Sequence, residues 1–294
     1  MPLDLAANEF GSGPPVTILH GLFGSGRNWR SVAQHLAARH RVLTFDLRNH
    51  GASPWADGMS YGEMVEDLRA SFRARGIDHA ALVGHSMGGK VAMLMALLHP
   101  AEVDRLVVVD IAPAANPPNL LAYIRAMRAV DLRGVKRRAE VDVALAGAVP
   151  DPAERAFLRQ SLVIDENAAH WRLNLEAIER DFPQIVGFPD LPAGTAYPGA
   201  ALFVAGARSN YIQPQHEPLI RRLFPQARIM RIEGAGTGFT RSSRKPSCRL
   251  SPFSSPAPPN AAPDPAAVNS TPAACLPSAF SLHPRPTPTV VTGA

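Results

Sequence analysis

The sequence predicts an α/β protein with a mostly parallel sheet that carries helices on both faces. Short apolar runs of strand length alternate with longer segments of helical periodicity. The apolar runs are hydrophobic on both faces of a strand, as is typical of strands that are covered from both sides. This alternation holds over residues 15–110 and returns over residues 201–232.

The predicted elements follow one another along the chain as strand, helix, strand. Ser60 stands directly before a helical segment and has the side chain of a good N-cap, and Pro100 stops a later helical segment. Strands are predicted at residues 15–19, 41–46, 80–83, 105–110, 201–205 and 228–232, and helices at residues 27–39, 61–75, 87–98 and 215–223.

Residues 117–180 interrupt the alternation. They are mostly helical in pattern, with charged faces, and contain one short strand candidate at residues 162–164. An insertion of this kind between two strands predicts a small helical cap over the sheet. Residues 1–236 as a whole are long enough for one domain with a single core.

The positive charge of the chain is concentrated in residues 237–294. The whole chain of 294 residues has a formal net charge of +5 and 29 prolines. Residues 237–294 hold five basic residues, one acidic residue, 12 of the prolines and both cysteines. Residues 1–236 are therefore nearly neutral, and no nucleic-acid partner is expected for them. The Pro, Ala and Ser composition of residues 237–294 predicts a disordered tail.

Several features of residues 1–236 indicate a cytoplasmic protein. They contain no cysteine, which fits a reducing compartment. Residues 1–13 include acidic residues and no long apolar run, so no secretory signal is expected. A membrane-spanning helix needs a stretch of about 18 apolar residues, and no stretch of that length is found in the sequence. No cluster of metal ligands and no phosphate-binding loop appears, so no cofactor is expected.

The strongest chemical signal is the sequence Gly-His-Ser-Met-Gly at residues 84–88. It fits the pattern G-x-S-x-G and lies between a predicted strand and a predicted helix. The two glycines allow a sharp turn that holds Ser86 in a strained elbow, with its hydroxyl at the carboxyl end of the sheet. The backbone N–H of Met87, at the start of the helix, is placed to stabilise an oxyanion. The sequence therefore predicts Ser86 as a nucleophile.

A second loop, residues 20–25, follows the first predicted strand and reads His-Gly-Leu-Phe-Gly-Ser. It is placed to supply another oxyanion donor, either the backbone N–H of Leu22, which is favoured, or that of Phe23. His20 itself is interpreted as a residue that orders the loop.

Four segments together resemble the α/β-hydrolase superfamily, namely residues 20–25, 46–53, 84–90 and 109–113. More narrowly, they resemble the small bacterial YbfF-type carboxylesterases and their mammalian abhydrolase-domain relatives. The resemblance implies an α/β-hydrolase fold and the hydrolysis of a small acyl ester or thioester through an acyl-serine intermediate. Trp171 of the predicted cap is a candidate substrate-binding residue.

Two positions compete for the acid that orients the catalytic base. In many α/β hydrolases the acid follows the next-to-last strand, where this chain has the uncharged Asn210. The resemblance to the esterases places it instead after the strand that follows the nucleophile helix, at Asp110. Asp110 is favoured, because an asparagine cannot stabilise an imidazolium as a carboxylate does.

The family's catalytic histidine is missing from the position after Gly236. A codon string for the family's continuation, His-Trp-Val-His-Ala-Glu-Gln-Pro-Glu, yields Thr-Gly-Phe-Thr-Arg-Ser-Ser-Arg-Lys when its first base is deleted, and this chain has that sequence at residues 237–245. Residues 237–294 are therefore predicted to be out-of-frame translation, and the esterase to be impaired. Two alternatives stay open: a genuine disordered tail that binds a partner, and a non-catalytic protein that binds acyl groups in its pocket.

Overall fold

The computed structural model describes residues 1–117, 120–166, 168–233 and 250–251. Its main sheet has eight strands in the order β1-β3-β2-β4-β5-β8-β9-β10. The strands are β1 Ala7–Phe10, β2 Pro15–Leu19, β3 Arg41–Phe45, β4 Ala80–His85, β5 Val103–Val109, β6 Leu162–Ile164, β7 Ala169–Trp171, β8 Ala201–Gly206, β9 Ala227–Ile232 and β10 Leu250–Ser251.

The helices cover the sheet and build the cap. They are α1 Arg30–Leu36, α2 Tyr61–Ala74, α3 Met87–Leu98, α4 Leu121–Ala129, α5 Arg138–Leu145, α6 Pro152–Leu158, α7 Leu175–Arg180, α8 Phe182–Val186 and α9 Glu217–Leu223. Ser60 is the N-cap of α2, where its side chain accepts a hydrogen bond from the Glu63 N–H in a capping box. The N-cap prediction is thereby confirmed. None of the helices in the described residues has the length and apolar character to cross a membrane.

The inner strands β3, β2, β4, β5, β8 and β9 run parallel, and the two edge strands β1 and β10 run antiparallel to their neighbours. The α/β-hydrolase fold with a mostly parallel sheet, predicted from the sequence, is confirmed. Because the inner strands are parallel, the loops after β2, β3, β4, β5 and β8 all leave the same edge of the sheet. In open α/β sheets this edge is where ligands bind.

Three strands lie outside the sequence prediction: β1, β7 and the two-residue β10. β1 has four residues with a polar centre, and it gains strand structure from pairing with β3, not from its own periodicity. β7 has three residues, too few for a periodic signal, and pairs antiparallel with β6 inside the cap. The cap therefore contains a small hairpin besides its helices.

The two faces of the sheet bury separate apolar clusters. The larger cluster lies between the sheet, α2, α3 and the cap, and α3 is buried along nearly its whole length. The smaller cluster joins the opposite face of β2, β4, β5 and β8 to Ala33 of α1. The predicted cap boundary at residue 180 falls two residues before α8, which also belongs to the inserted segment. The tail predicted to be disordered, residues 237–294, lies outside the described residues except for the two residues of β10.

Backbone strain is concentrated at the carboxyl edge of the sheet. In the described part of the chain, four non-glycine residues have a positive φ: Phe23 at 66°, Asn49 at 63°, Ser86 at 50° and Asp110 at 54°. Each follows a strand of the main sheet at that edge. Such conformations cost about 1–3 kcal/mol each and persist where the surrounding structure enforces them, which is typical of functional sites.

Candidate active site

Ser86 forms the sharp turn between β4 and α3, with φ 50° and ψ −119°. The turn is tight enough to require both glycines: a Cβ at Gly84 would lie 2.3 Å from the carbonyl oxygen of Gly88, and a Cβ at Gly88 would lie 2.5 Å from that of His20. The Gly88 N–H donates to the His20 carbonyl oxygen at 3.1 Å, which ties the elbow to the loop after β2. The structure thus brings together the two loops that the sequence singled out.

Leu22 and Met87 lie beside Ser86, in the cleft where an oxyanion would form. Met87 is the first residue of α3, so its N–H has no acceptor within the helix and points toward the helix N-terminal end. Phe23 is buried in the main core and does not line the cleft in the described structure. Of the two residues proposed for the first oxyanion donor, Leu22 is therefore the better placed.

His20 fixes the orientation of the Leu22 amide. The Leu47 N–H donates to its Nε2 at 2.9 Å, so the proton is on Nδ1, which donates to the Gly21 carbonyl oxygen at 2.8 Å. That carbonyl and the Leu22 N–H belong to one planar trans peptide and point in opposite directions. Fixing the carbonyl therefore aims the N–H away from His20. Burial lowers the pKa of His20 to about 4, so the ring is neutral near pH 7.

Asp110 follows β5 and lies next to the elbow, because the Ser86 N–H donates to the Val109 carbonyl oxygen at 3.0 Å. Its side chain is 1% exposed. Burial raises the pKa of its carboxyl group, and hydrogen bonds from Ser209 and from the Gly206 backbone oppose that shift. Its Oδ1 atom is buried and has no hydrogen-bond partner in the described structure. This oxygen is available to accept a hydrogen bond from an N–H or O–H donor.

Asn210, at the alternative acid position, is exposed, and its Oδ1 accepts a hydrogen bond from Gln213 at 3.4 Å. The neighbouring Ser209 is buried and turns toward the carboxyl group of Asp110. The loop after β8 therefore supports a carboxylate from another strand and does not supply one. Sequence reasoning missed Ser209, because a serine in a loop has no spacing that links it to a distant aspartate.

The loop after β3 has a structural role beneath the site. Asp46 accepts hydrogen bonds from the Gly26 N–H at 2.7 Å and the Ala52 N–H at 2.8 Å. Arg48 forms a buried ion pair with Asp67, with Nε 2.6 Å from Oδ2. These contacts hold the loop after β3 in place.

The structure does not bring Trp171 to the cleft of Ser86. Its indole N–H donates to the Met127 carbonyl oxygen at 3.1 Å, and its ring is buried in the cap. The predicted contact with substrate is therefore unsupported. The cap wall of the cleft is instead apolar and was not singled out in the sequence; it consists of Leu120, Phe182, Ile185 and Val186.

The histidines near the sheet edge make their contacts elsewhere. The Nδ1 atom of His50 lies 2.8 Å from the Arg48 carbonyl oxygen, and the ring centroid of His85 lies 6.2 Å from that of Trp29. Burial lowers the pKa of His50 to about 3 and that of His85 to about 4. His216 accepts a backbone hydrogen bond ahead of α9. The expected position of the base, after residue 236, lies outside the described residues.

Comparison with known proteins identifies the family. The family model for the alpha/beta hydrolase fold matches residues 14–237. The sn-1-specific diacylglycerol lipase ABHD11 of Mus musculus is 42% identical over 231 residues, covering 76% of this chain and 75% of the mouse protein. Esterase YbfF of Escherichia coli is 34% identical over 226 residues, covering 76% and 85%.

A solved structure is similar over most of the described fold. The marine microorganism esterase has a TM-score of 0.77 and 37% sequence identity, and the match covers 80% of this chain and 93% of that one.

Proposed function

This chain belongs to the α/β-hydrolase fold family and is a hydrolase of the carboxylesterase type, and we propose that Ser86 is its nucleophile. The observation that carries the proposal is the strained elbow, which presents Ser86 in a cleft beside two candidate oxyanion donors. Strain of this kind persists only where the surrounding structure enforces it.

In the proposed reaction, the Ser86 hydroxyl oxygen attacks the acyl carbonyl carbon of an ester or thioester. The amides of Leu22 and Met87 stabilise the negative oxygen of the tetrahedral intermediate. Collapse of the intermediate releases the alcohol or thiol and leaves an acyl-serine, which water hydrolyses. A base must accept the Ser86 proton and return it to the leaving group, and Asp110 would orient that base and stabilise its charged form.

We further propose that this chain is impaired because it lacks that base. The loss of the family pattern after residue 236 supports the proposal. Loss of the histidine from a serine-hydrolase triad lowers turnover by on the order of 10⁶. Residues 237–294 are proposed to be out-of-frame translation, which resequencing across the Gly236 codon tests.

The proposed substrate is a small ester or thioester with an apolar acyl group. The cap wall of the cleft offers the acyl chain four apolar side chains, those of Leu120, Phe182, Ile185 and Val186. A cytoplasmic location remains part of the proposal, supported by the absence of cysteine from residues 1–236.

The purified chain is expected to hydrolyse p-nitrophenyl butyrate slowly. The rate should fall to the buffer rate in Ser86→Ala and stay unchanged in Ser31→Ala, which alters an exposed serine on α1. Imidazole should accelerate the Ser86-dependent rate as an external base. 1-Methylimidazole should accelerate it less, because it has no N–H to donate to Asp110.

Rapid hydrolysis without imidazole that depends on Ser86 would contradict the missing base, and hydrolysis indifferent to Ser86→Ala would contradict the nucleophile. A second function, binding of acyl groups without turnover, is favoured by the loss of the family's histidine pattern after residue 236. It would be supported by saturable binding of butyrate esters with no Ser86-dependent hydrolysis at any imidazole concentration.

A further inference from the structure

Lys90 lies one turn beyond the nucleophile on α3, and its N–H donates to the Ser86 carbonyl oxygen at 3.1 Å. Its side chain is 1% exposed and lines the Ser86 cleft. A lysine is almost never buried this completely unless its charge is compensated. Neither the nucleophile nor the oxyanion donors require an ammonium at this place, so its contacts have to explain it.

The Lys90 ammonium contacts both ends of the cap. Nζ donates to Oδ1 of Asn116 at 2.6 Å, ahead of the cap, and to the carbonyl oxygens of Val186 and Gly187 at 2.8 and 2.6 Å, where α8 ends. An ammonium has three N–H bonds, and here each has an acceptor. The two ends also contact each other directly, because the Asn116 N–H donates to the Val186 carbonyl oxygen at 2.9 Å.

Tyr61 completes this arrangement from α2. Its hydroxyl donates to the Ile185 carbonyl oxygen at 2.6 Å, and its ring centroid lies 5.8 Å from Nζ of Lys90. Three successive carbonyl groups at the end of α8 are thus held by two side chains from the core of the domain. Cations near a helix C-terminus are favourable, since the last carbonyl groups have no partner within the helix. Burial lowers the pKa of Lys90 to about 7. Hydrogen bonds to three oxygen acceptors favour the charged form of the amine.

We propose that Lys90 is a positioning residue that clamps the two ends of the cap together and thereby sets the width of the acyl cleft. The same residues that receive its hydrogen bonds, Asn116 and Val186, line the cleft together with Ile185. When the clamp is removed, the end of α8 is free to move away from α3, and the cleft accepts longer acyl chains. This inference rests on the proposed esterase function for its substrate, but the clamp itself does not.

Hydrogen–deuterium exchange on the full chain tests the clamp without any activity. In Lys90→Met, amides of residues 111–117 and 182–188 should exchange faster than in the original chain, while amides of β2 and β4 keep their rates. Lys90→Arg, which retains charge and donors, should restore part of the protection. Lys136→Met, which removes an exposed lysine of the cap, should change neither region. Equal acceleration at the cap ends and in the sheet would overturn the clamp, because it would indicate a general loss of stability.

The width of the cleft is tested by the ratio of Ser86-dependent hydrolysis of p-nitrophenyl octanoate to that of the acetate. The ratio within one variant cancels the effect of the missing base. The octanoate-to-acetate ratio should rise at least about tenfold in Lys90→Met. Rates change by that much when an apolar pocket gains or loses room for a few methylene groups of the substrate. An unchanged ratio would overturn the role in specificity. If neither ester is hydrolysed through Ser86 at any imidazole concentration, the proposed function fails, and hydrogen exchange still decides the clamp.

Discussion

Gly88 is one of the two elbow glycines whose backbone leaves no room for a Cβ, and Gly88→Ala tests the geometry that presents Ser86. A Cβ at this position would lie 2.5 Å from the carbonyl oxygen of His20 and 2.6 Å from that of Leu19. Both contacts are with backbone atoms, so no side-chain rotation relieves them. The elbow and the end of β2 must separate, which also stretches the 3.1 Å hydrogen bond from the Gly88 N–H to the His20 carbonyl oxygen.

The free energy of unfolding should fall by at least about 1–3 kcal/mol in Gly88→Ala, the usual range for overpacked interiors. This is a large part of a typical total of about 5–15 kcal/mol. For a domain of this size each kcal/mol corresponds to roughly 2–4 °C in Tm, so Tm should fall by about 2–12 °C. Ser86-dependent hydrolysis should fall as well, because the amide of Leu22 moves with the loop.

Gly62→Ala is the matched control. Gly62 lies in the first turn of α2, its φ is not positive, and a Cβ there would meet no atom within 4 Å outside the backbone of its own helix. Alanine there reduces the freedom of the unfolded chain and should stabilise the protein by up to about 0.4–1 kcal/mol. Thermal and urea unfolding of both variants measure the difference. The reasoning about the elbow would be refuted if the free energy of unfolding of Gly88→Ala were within about 0.5 kcal/mol of that of the original chain. That difference is the usual spread of neutral substitutions.

Two further predictions concern stability. Arg48→Met leaves the carboxylate of Asp67 buried without its ion partner, so it should lower the free energy of unfolding by about 3–5 kcal/mol. The control Arg41→Met, at an exposed ion pair, should change that free energy by about 0–1 kcal/mol. Equal effects of the two substitutions in urea unfolding would show that burial is not the cause. The pKa values of His20 and His50 are lowered to about 4 and about 3, so between about pH 6.5 and 4 the unfolded chain binds more protons than the folded one. Stability should therefore fall on acidification by up to about 1.4 kcal/mol per pH unit for each histidine, and equal unfolding free energies at pH 7 and pH 5 would contradict this.

The sharp turn at Ser86 could be predicted from the sequence because its signal is local. Ser86, the two glycines of its turn and the flanking strand and helix are all within one short segment, and steric limits on the turn leave few alternatives. The N-cap Ser60 is predictable for the same reason, since its partner Glu63 is three residues away. Local chemistry of this kind does not depend on the rest of the fold.

Contacts between distant segments could not be predicted in the same way. Ser209 forms a hydrogen bond with the carboxyl group of Asp110. The two residues follow β8 and β5, which are distant in sequence and are neighbours only because of the strand order in the sheet. Trp171 is a large aromatic residue of the kind often found in ligand-binding sites. The β6–β7 hairpin, however, directs its side chain into the core of the cap. The clamp on Lys90 depends on the two ends of an insertion meeting at one atom, which no sequence spacing indicates.

The central claim is that this chain is a serine esterase whose catalytic base was lost after Gly236. The most direct measurement compares Ser86-dependent hydrolysis of p-nitrophenyl butyrate by the present chain and by a chain with the one missing base pair restored after the Gly236 codon. Restoration should raise the turnover number by at least about 10³-fold, within the loss of on the order of 10⁶ that removal of a triad histidine causes. The claim would be contradicted if the Ser86-dependent turnover number of the present chain were already within about tenfold of that of the restored chain. Such a ratio corresponds to a barrier difference of about 1.4 kcal/mol or less.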